Sequence, residues 1–239
     1  MKTHLQISRS PVKFSRQNHA FTLVELLTVI VIIGILAGIL VPVIGMVRDR
    51  TRATVCQSNL RQIYTALMMY VDENKGWLPP GPDSTGGLTI PQHADYTSGG
   101  TNNMALHLAP YMGCPPPNPW NSRVNPFFFC PGQSARPANL NYHAGYRTYG
   151  ILTGWQKGEN YPFGYLGSIR PKRLADYLGT WESKNPWVLR DIDREMTVYE
   201  SLSDIVSGRS HKKGHNYLFF NGRVRLLDTA QEKELNENL

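Results

Sequence analysis

The sequence predicts an α+β protein: one long N-terminal α-helix, transmembrane in its lower half, followed by a loop-rich head that carries a small antiparallel β-sheet. Three observations predict it. Leu26 to Val47 is a run of 22 residues without a charge. Beyond it, Cys56, Leu60, Ile63, Leu67 and Tyr70 recur at steps of four and three, the spacing of one helix face. From Gly76 onward the chain holds 18 of its 21 glycines and 15 of its 17 prolines, a density that favours turns over long elements.

Composition sets the outer bounds. Of 239 residues, 41% are hydrophobic and 18% charged, which speaks against wholesale disorder. The formal charge of +7 overstates the basic character of the folded part. Residues 1–20 contribute Lys2, Arg9, Lys13 and Arg16 with no acid, and without them the excess falls to +3. Three cysteines, Cys56, Cys114 and Cys130, are too few for a disulfide scaffold and lack paired C-x-x-C spacing.

The chain divides into a basic leader (1–20), an apolar helical segment (21–47), an amphipathic helical stem (48–76) and a head (77–239). The apolar segment contains fifteen Leu, Ile or Val between Leu26 and Val47. At 1.5 Å per residue that run reaches about 33 Å, enough to cross a hydrocarbon core of about 30 Å. No small-residue exit site follows it, as one would after a secretory signal peptide; Arg48, Asp49, Arg50 and Arg52 follow instead. In the stem, Gln57, Arg61, Gln62, Asp72 and Glu73 mark the wet side, and Asn74-Lys75-Gly76 before Pro79-Pro80 predicts the helix end. The stripe itself reads as packing against the head, with Cys56 a small buried hydrophobe. Glu25 is conspicuous, since a carboxylate beside lipid is costly unless it sits at the interface or finds a partner.

The entry to the apolar run, Ala20-Phe21-Thr22-Leu23-Val24-Glu25-Leu26-Leu27, resembles the N-terminal signature of type IV prepilins and type II secretion pseudopilins. The resemblance implies that a prepilin peptidase cuts between Ala20 and Phe21 and that the new Phe21 amine is methylated. It usually has Gly before the cut; Ala20 keeps a small residue there. It further implies that Glu25 pairs with the Phe21 ammonium of a neighbouring subunit and sets the axial register of a filament. Pro42, twenty-second counting from Phe21, falls where such stems commonly carry a helix-loosening proline. The implied setting is the bacterial inner membrane, with the N-terminus cytoplasmic and the head periplasmic or extracellular. The implied partners are the peptidase, the membrane and other pilin-like subunits through the helix.

In the head, Asn102-Asn103 before Met104 to Leu108 predicts a capped short helix ending near Pro110, and Trp187 to Arg190 predicts a strand. Tyr217 to Phe220 and Arg223 to Leu226, joined by Asn221-Gly222, predict a hairpin with a tight I′ turn. His211 followed after nine residues by Asn221-Gly222 resembles the H-X9-DG segment at the C-terminus of many prepilin-type proteins. Gly214, Asn216, Phe219 and Val224 fall at its typical interior positions, and Asn221 replaces its usual Asp. Leu108 to Gly113 and Phe129-Cys130-Pro131 are similar to the same group. Cys114 and Cys130 bracket Pro115-Pro116-Pro117-Asn118-Pro119 on the side placed outside the cytoplasm, where they either form a bridge or stay as two packed thiols.

No catalytic set is legible, and the reading is of a structural protein, not an enzyme. G-x-S-x-G, P-loop and dinucleotide fingerprints are all missing from the sequence. His211 and His215 sit around two lysines and a glycine, which suits turn histidines better than zinc ligands. No cofactor is expected, with one weak exception: Asp191, Asp193 and Glu195 alternate and could supply oxygen ligands to calcium, or could line a solvated face. Arg209, Lys212, Lys213, Arg223 and Arg225 surround the aromatic hairpin, a composition that also occurs in nucleic-acid binding, but hairpin aromatics usually face a core. The function expected is that of a pilus or secretion-filament subunit. The competing class is an anchored extracytoplasmic ligand-binding protein that uses the helix only as a tether.

Overall fold

In the computed structural model, residues 22–84, 86–88, 94–97, 102–132, 149–151, 162–164, 169–181, 187–191, 211 and 213–237 are described. The chain separates into two compact units, Met1–Gly45 and Met46–Leu239. One helix, α1 (Leu23–Glu73, 51 residues), runs through both and is continuous through Pro42. In the first unit every described residue is exposed, including the whole of the apolar run there. This is the one helix among the described residues that is long and apolar enough to cross a membrane.

In the second unit α1 buries Cys56, Leu60, Ile63, Leu67 and Tyr70, the stripe its spacing predicts, and Ala66 and Val71 beside it. Each fully buried Leu or Ile contributes about 1.5–3 kcal/mol of transfer free energy. The helix stops at its predicted signal. Lys75 and Gly76 take positive φ values of 56° and 86°, and the Gly76 amide donates back to the Val71 carbonyl at 2.8 Å.

The remaining elements are β1 (Asp95–Tyr96), α2 (Met104–Leu108), β2 (Arg123–Val124), β3 (Tyr149–Ile151), α3 (Leu174–Trp181), β4 (Trp187–Asp191), β5 (His215–Phe219), β6 (Val224–Leu227) and α4 (Thr229–Glu237), with short 3-10 turns at Pro110–Met112 and Pro126–Phe128. The expected α2 forms with its expected cap: Asn103 Oδ1 accepts from the Leu106 amide at 2.8 Å. Strands β3, β4, β5 and β6 pair antiparallel in that order, and β1 pairs with β2 in a separate two-stranded ladder.

Strand β5 is buried along its whole length because both faces of the sheet are covered. Leu218, with Phe220 just beyond the strand, Val188 and Leu189, joins the core under α1. Tyr217 and Phe219, with Trp187 and Leu227, form a second cluster against Leu235 of α4. The hairpin is where predicted, but its turn is different. Gly222 alone adopts a positive φ (79°), whereas a I′ turn requires it at both central positions. The Gly222 amide donates to Phe219 O and the Phe219 amide to Arg223 O, each at 2.9 Å, giving a three-residue loop that closes with glycine in the left-handed position.

Candidate functional site

At the start of α1, Thr22 and Glu25 cap each other. The Glu25 amide donates to Thr22 Oγ1 at 3.2 Å, while the Thr22 amide and hydroxyl both donate to Glu25 Oε2 at 2.8 Å. This is a capping box, which satisfies orphan helix N–H groups and fixes the carboxylate one turn into the helix. Its Thr-x-x-Glu pattern stands in the sequence and could have been read there. Ala20 and Phe21 lie outside the described residues, as does the leader. Exposed apolar side chains follow from Leu26 to Val47, broken only by Thr28, glycines, Ala37 and Pro42. Chemically this is a greasy helical surface with one ionisable group at its start.

Of the residues that resemble the C-terminal segment, Asn216 and Gly222 meet the buried part of α1. Asn216 donates through its amide nitrogen and its side-chain Nδ2 to Asp191 Oδ2, both at 2.8 Å, and its Oδ1 accepts from Gln57 Nε2 of α1 at 3.1 Å. Tyr64 of α1 donates its hydroxyl to Phe220 O at 3.2 Å, and its ring lies over Gly222, where a Cβ would fall 2.7 Å from Tyr64 Cε1. At Gly214 (φ 141°) a side chain would run into the Leu227 carbonyl. Asn221 Oδ1 accepts from the Arg223 amide at 3.0 Å and so shapes the turn. Phe219 packs in the second cluster. Asn216 and Gly222, with Phe220, thus hold the hairpin to α1.

The cysteine pairing differs from both alternatives expected for Cys114 and Cys130. Cys130 is disulfide-bonded to Cys56, across 74 residues with Cα atoms 5.3 Å apart, and Cys114 is the free thiol. The 3-10 turn at Pro126–Phe128 carries Cys130 onto the buried stripe of α1, with Asn59 Nδ2 donating to Phe129 O at 3.1 Å. Cys114 instead packs beside the core after the turn at Pro110–Met112, with its thiol pushed up by burial. Cys56 is thus buried as predicted but bonded rather than inert. Next to the bridge lie Asp191 and His211, both buried: His211 Nε2 is 3.2 Å from Asp191 Oδ2 and 3.3 Å from Cys130 Sγ, and Cys56 Sγ is 3.4 Å from Asp191 Oδ1. Sequence reasoning singled out all four residues but in separate arguments, since they come from four distant segments.

His215 does not join His211. Its Nδ1 pairs with Glu232 Oε1 of α4 at 2.6 Å. Of the three calcium candidates, Asp191 is buried at the end of β4, while Asp193 and Glu195 lie outside the described residues. Tyr217, Phe219 and Phe220 are buried, so those rings are not offered for stacking on bases; Lys213, Arg223 and Arg225 are exposed, and Arg209 and Lys212 are outside the described residues.

A family model described as the prokaryotic N-terminal methylation motif matches residues 15–41. Over 59 residues, a quarter of the chain, the protein is 41% identical to the type II secretion system core protein G of Pseudomonas aeruginosa, covering 42% of that protein. Over 61 residues it is 38% identical to the type IV major pilin protein PilA of Myxococcus xanthus, covering 28% of it. The chain thus spans less than half the length of either relative. No solved structure matches it. These likenesses, together with the apolar N-terminal helix, make the protein pilin-like.

Proposed function

We propose that this chain is a structural subunit, a pseudopilin or minor pilin, of a type IV pilus or type II secretion-like filament. The observation that carries the reading is the exposed, charge-free surface of α1 behind the Thr22–Glu25 cap, which begins inside the span of the methylation motif and runs past its end. Both relatives belong by name to such systems. In this reading the leader 1–20 is removed by a prepilin peptidase between Ala20 and Phe21, and Phe21 becomes the methylated N-terminus. Segment 21–47 waits in the bacterial inner membrane, N-terminus cytoplasmic, and then exchanges lipid contacts for contacts with other stems; stem 48–76 and head 77–239 lie outside the cytoplasm. The work is structural, not catalytic.

Glu25 has a defined task here. Its Oε2 already accepts two bonds from Thr22, which hold the carboxylate close to where the chain is cut. A neighbouring subunit's Phe21 ammonium would supply a charge-assisted partner in an environment of low dielectric, where an unpaired carboxylate is expensive. The C-terminal H-X9-DG-like segment, His211 to Gly222, keeps the head's hairpin on the stem.

Mass spectrometry of the purified chain, with cross-linking in cells, tests the proposal. A methylated Phe21 terminus and helix-to-helix ladders are expected. An intact Met1, or a processed chain that stays monomeric in the membrane, would refute it in favour of a tethered binding protein.

A further inference from the structure

We propose that Cys56, Cys130, Asp191 and His211 form a zinc site when the Cys56–Cys130 bridge is reduced, so that one ion takes over the bridge's task of joining four segments of the chain. The inference does not rest on the filament reading.

Geometry comes first. The four donor atoms lie within 4.8 Å of one another, and all four residues are buried. Tetrahedral zinc with metal–sulfur bonds of about 2.3 Å and metal–nitrogen or –oxygen bonds of about 2.0–2.1 Å has donor–donor edges of about 3.3–3.8 Å. Three of the five contacts between unlike donor residues are 3.2 Å (His211 Nε2 to Asp191 Oδ2), 3.3 Å (Cys130 Sγ to His211 Nε2) and 3.4 Å (Cys56 Sγ to Asp191 Oδ1), within about 0.1 Å of that range, with the two carboxylate oxygens facing different neighbours. Only the two sulfurs, being bonded, stand too close, and reduction frees them to part.

The chemistry agrees. Bridged sulfurs carry no proton, so in the oxidised state the approach of Cys56 Sγ to Asp191 Oδ1 is not a hydrogen bond; it brings lone pairs toward each other. Once the bridge is reduced, the two thiolates, the Asp191 carboxylate and a His211 imidazole protonated at Nδ1 would turn four lone pairs to one place, which a cation accommodates. Two thiolates and an imidazole select a borderline-soft ion over calcium or magnesium. Asp191 is already oriented by the amide and side chain of Asn216, and Asn216 in turn by Gln57. That is the outer support which metal-binding carboxylates usually have.

The electron balance is simple. A dithiol reductant breaks the Cys56–Cys130 S–S bond and leaves as its own disulfide, both cysteines becoming thiols. Zn²⁺ then displaces both thiol protons to solvent as the two Zn–S bonds form.

The test uses the full chain in detergent, reduced anaerobically with a water-soluble phosphine that is oxidised to its oxide and removed before metal is added. One equivalent of Co²⁺ should give a thiolate-to-cobalt charge-transfer band with the strong visible bands of four-coordinate cobalt, and Zn²⁺ should bleach both. Asp191→Asn and His211→Gln should each weaken Co²⁺ binding by about tenfold or more, with helix content by circular dichroism showing that they remain folded. The parent spectrum decides the matter even if a variant fails to fold. No charge-transfer band in the reduced parent would overturn the proposal. So would the same band in the oxidised chain, or folded Asp191→Asn and His211→Gln variants that bind Co²⁺ as tightly as the parent.

Discussion

Gln57 Nε2 on α1 donates to Asn216 Oδ1 on β5 at 3.1 Å, across 159 residues of sequence. Through Asn216 the same contact reaches the buried carboxylate of Asp191. Replacing Asn216 with Ala removes the side-chain donor to Asp191 and the acceptor for Gln57 together. It should destabilise the head by about 2–3 kcal/mol, against about 1 kcal/mol for Gln57→Ala, because Gln57 is itself only half-buried. Denaturant midpoints of the two variants check the ranking.

Non-reducing peptide mapping should link the Cys56 and Cys130 peptides and leave Cys114 alone to be alkylated. Because burial raises the Cys114 thiol, its alkylation at neutral pH should be slow in the folded chain and fast once denatured. Cys130→Ala, which opens a loop of some 74 residues, should cost about 4 kcal/mol in the chain-entropy account.

His107 gives the fold a sensitivity to acid. Burial lowers its imidazole from an ordinary 6.5 to about 4, and Nε2 lies 2.6 Å from Asn102 Oδ1, to which the neutral ring can donate. Between those two values the unfolded chain binds more protons than the folded one. Stability is therefore fully present above about pH 6.5 and is lost as pH falls toward 4, by roughly 2 kcal/mol once partial exposure is allowed for. His107→Gln should flatten the melting-temperature profile over that window; an unchanged slope would remove His107 as the cause.

Gly222→Ala should cost about 1–3 kcal/mol, because a positive φ is combined there with a Cβ pressed against the Tyr64 ring. Tyr64→Ala in the same chain should recover only the steric part. A double-mutant cycle separates ring clash from backbone preference.

Glu25→Ala should leave membrane insertion intact, since α1 keeps its whole apolar run, and should lower recovery of the chain in sheared filaments. Equal recovery would show that the carboxylate has no part in register.

The sequence shows the helix better than it shows the head. The stripe from Cys56 to Tyr70 is legible because a helix buried on one side repeats every three or four residues, and the Asn103 cap because it is a local event. The two-residue strands β1 and β2 are too short to show any period. Strand β4 is buried throughout and so shows no alternation; it extends one residue beyond the predicted strand, to Asp191. The Cys56–Cys130 pairing depends on how a distant turn docks onto α1, which spacing does not encode. Helix α4 goes unpredicted despite a signal: Asp228 and Gln231 cap it reciprocally, at 2.9 and 3.2 Å, before a mostly polar stretch in which Leu235 packs on the second cluster.

Strand β5 lies between two cores, and its neighbour β6 is buried only at its last residue. Mutational tolerance should therefore change abruptly across three residues of loop. A saturation library would find almost every change from His215 to Phe220 harmful whichever way the side chain points, and would find Arg223 and Arg225 free to drift, with Gly222 standing intolerant before them.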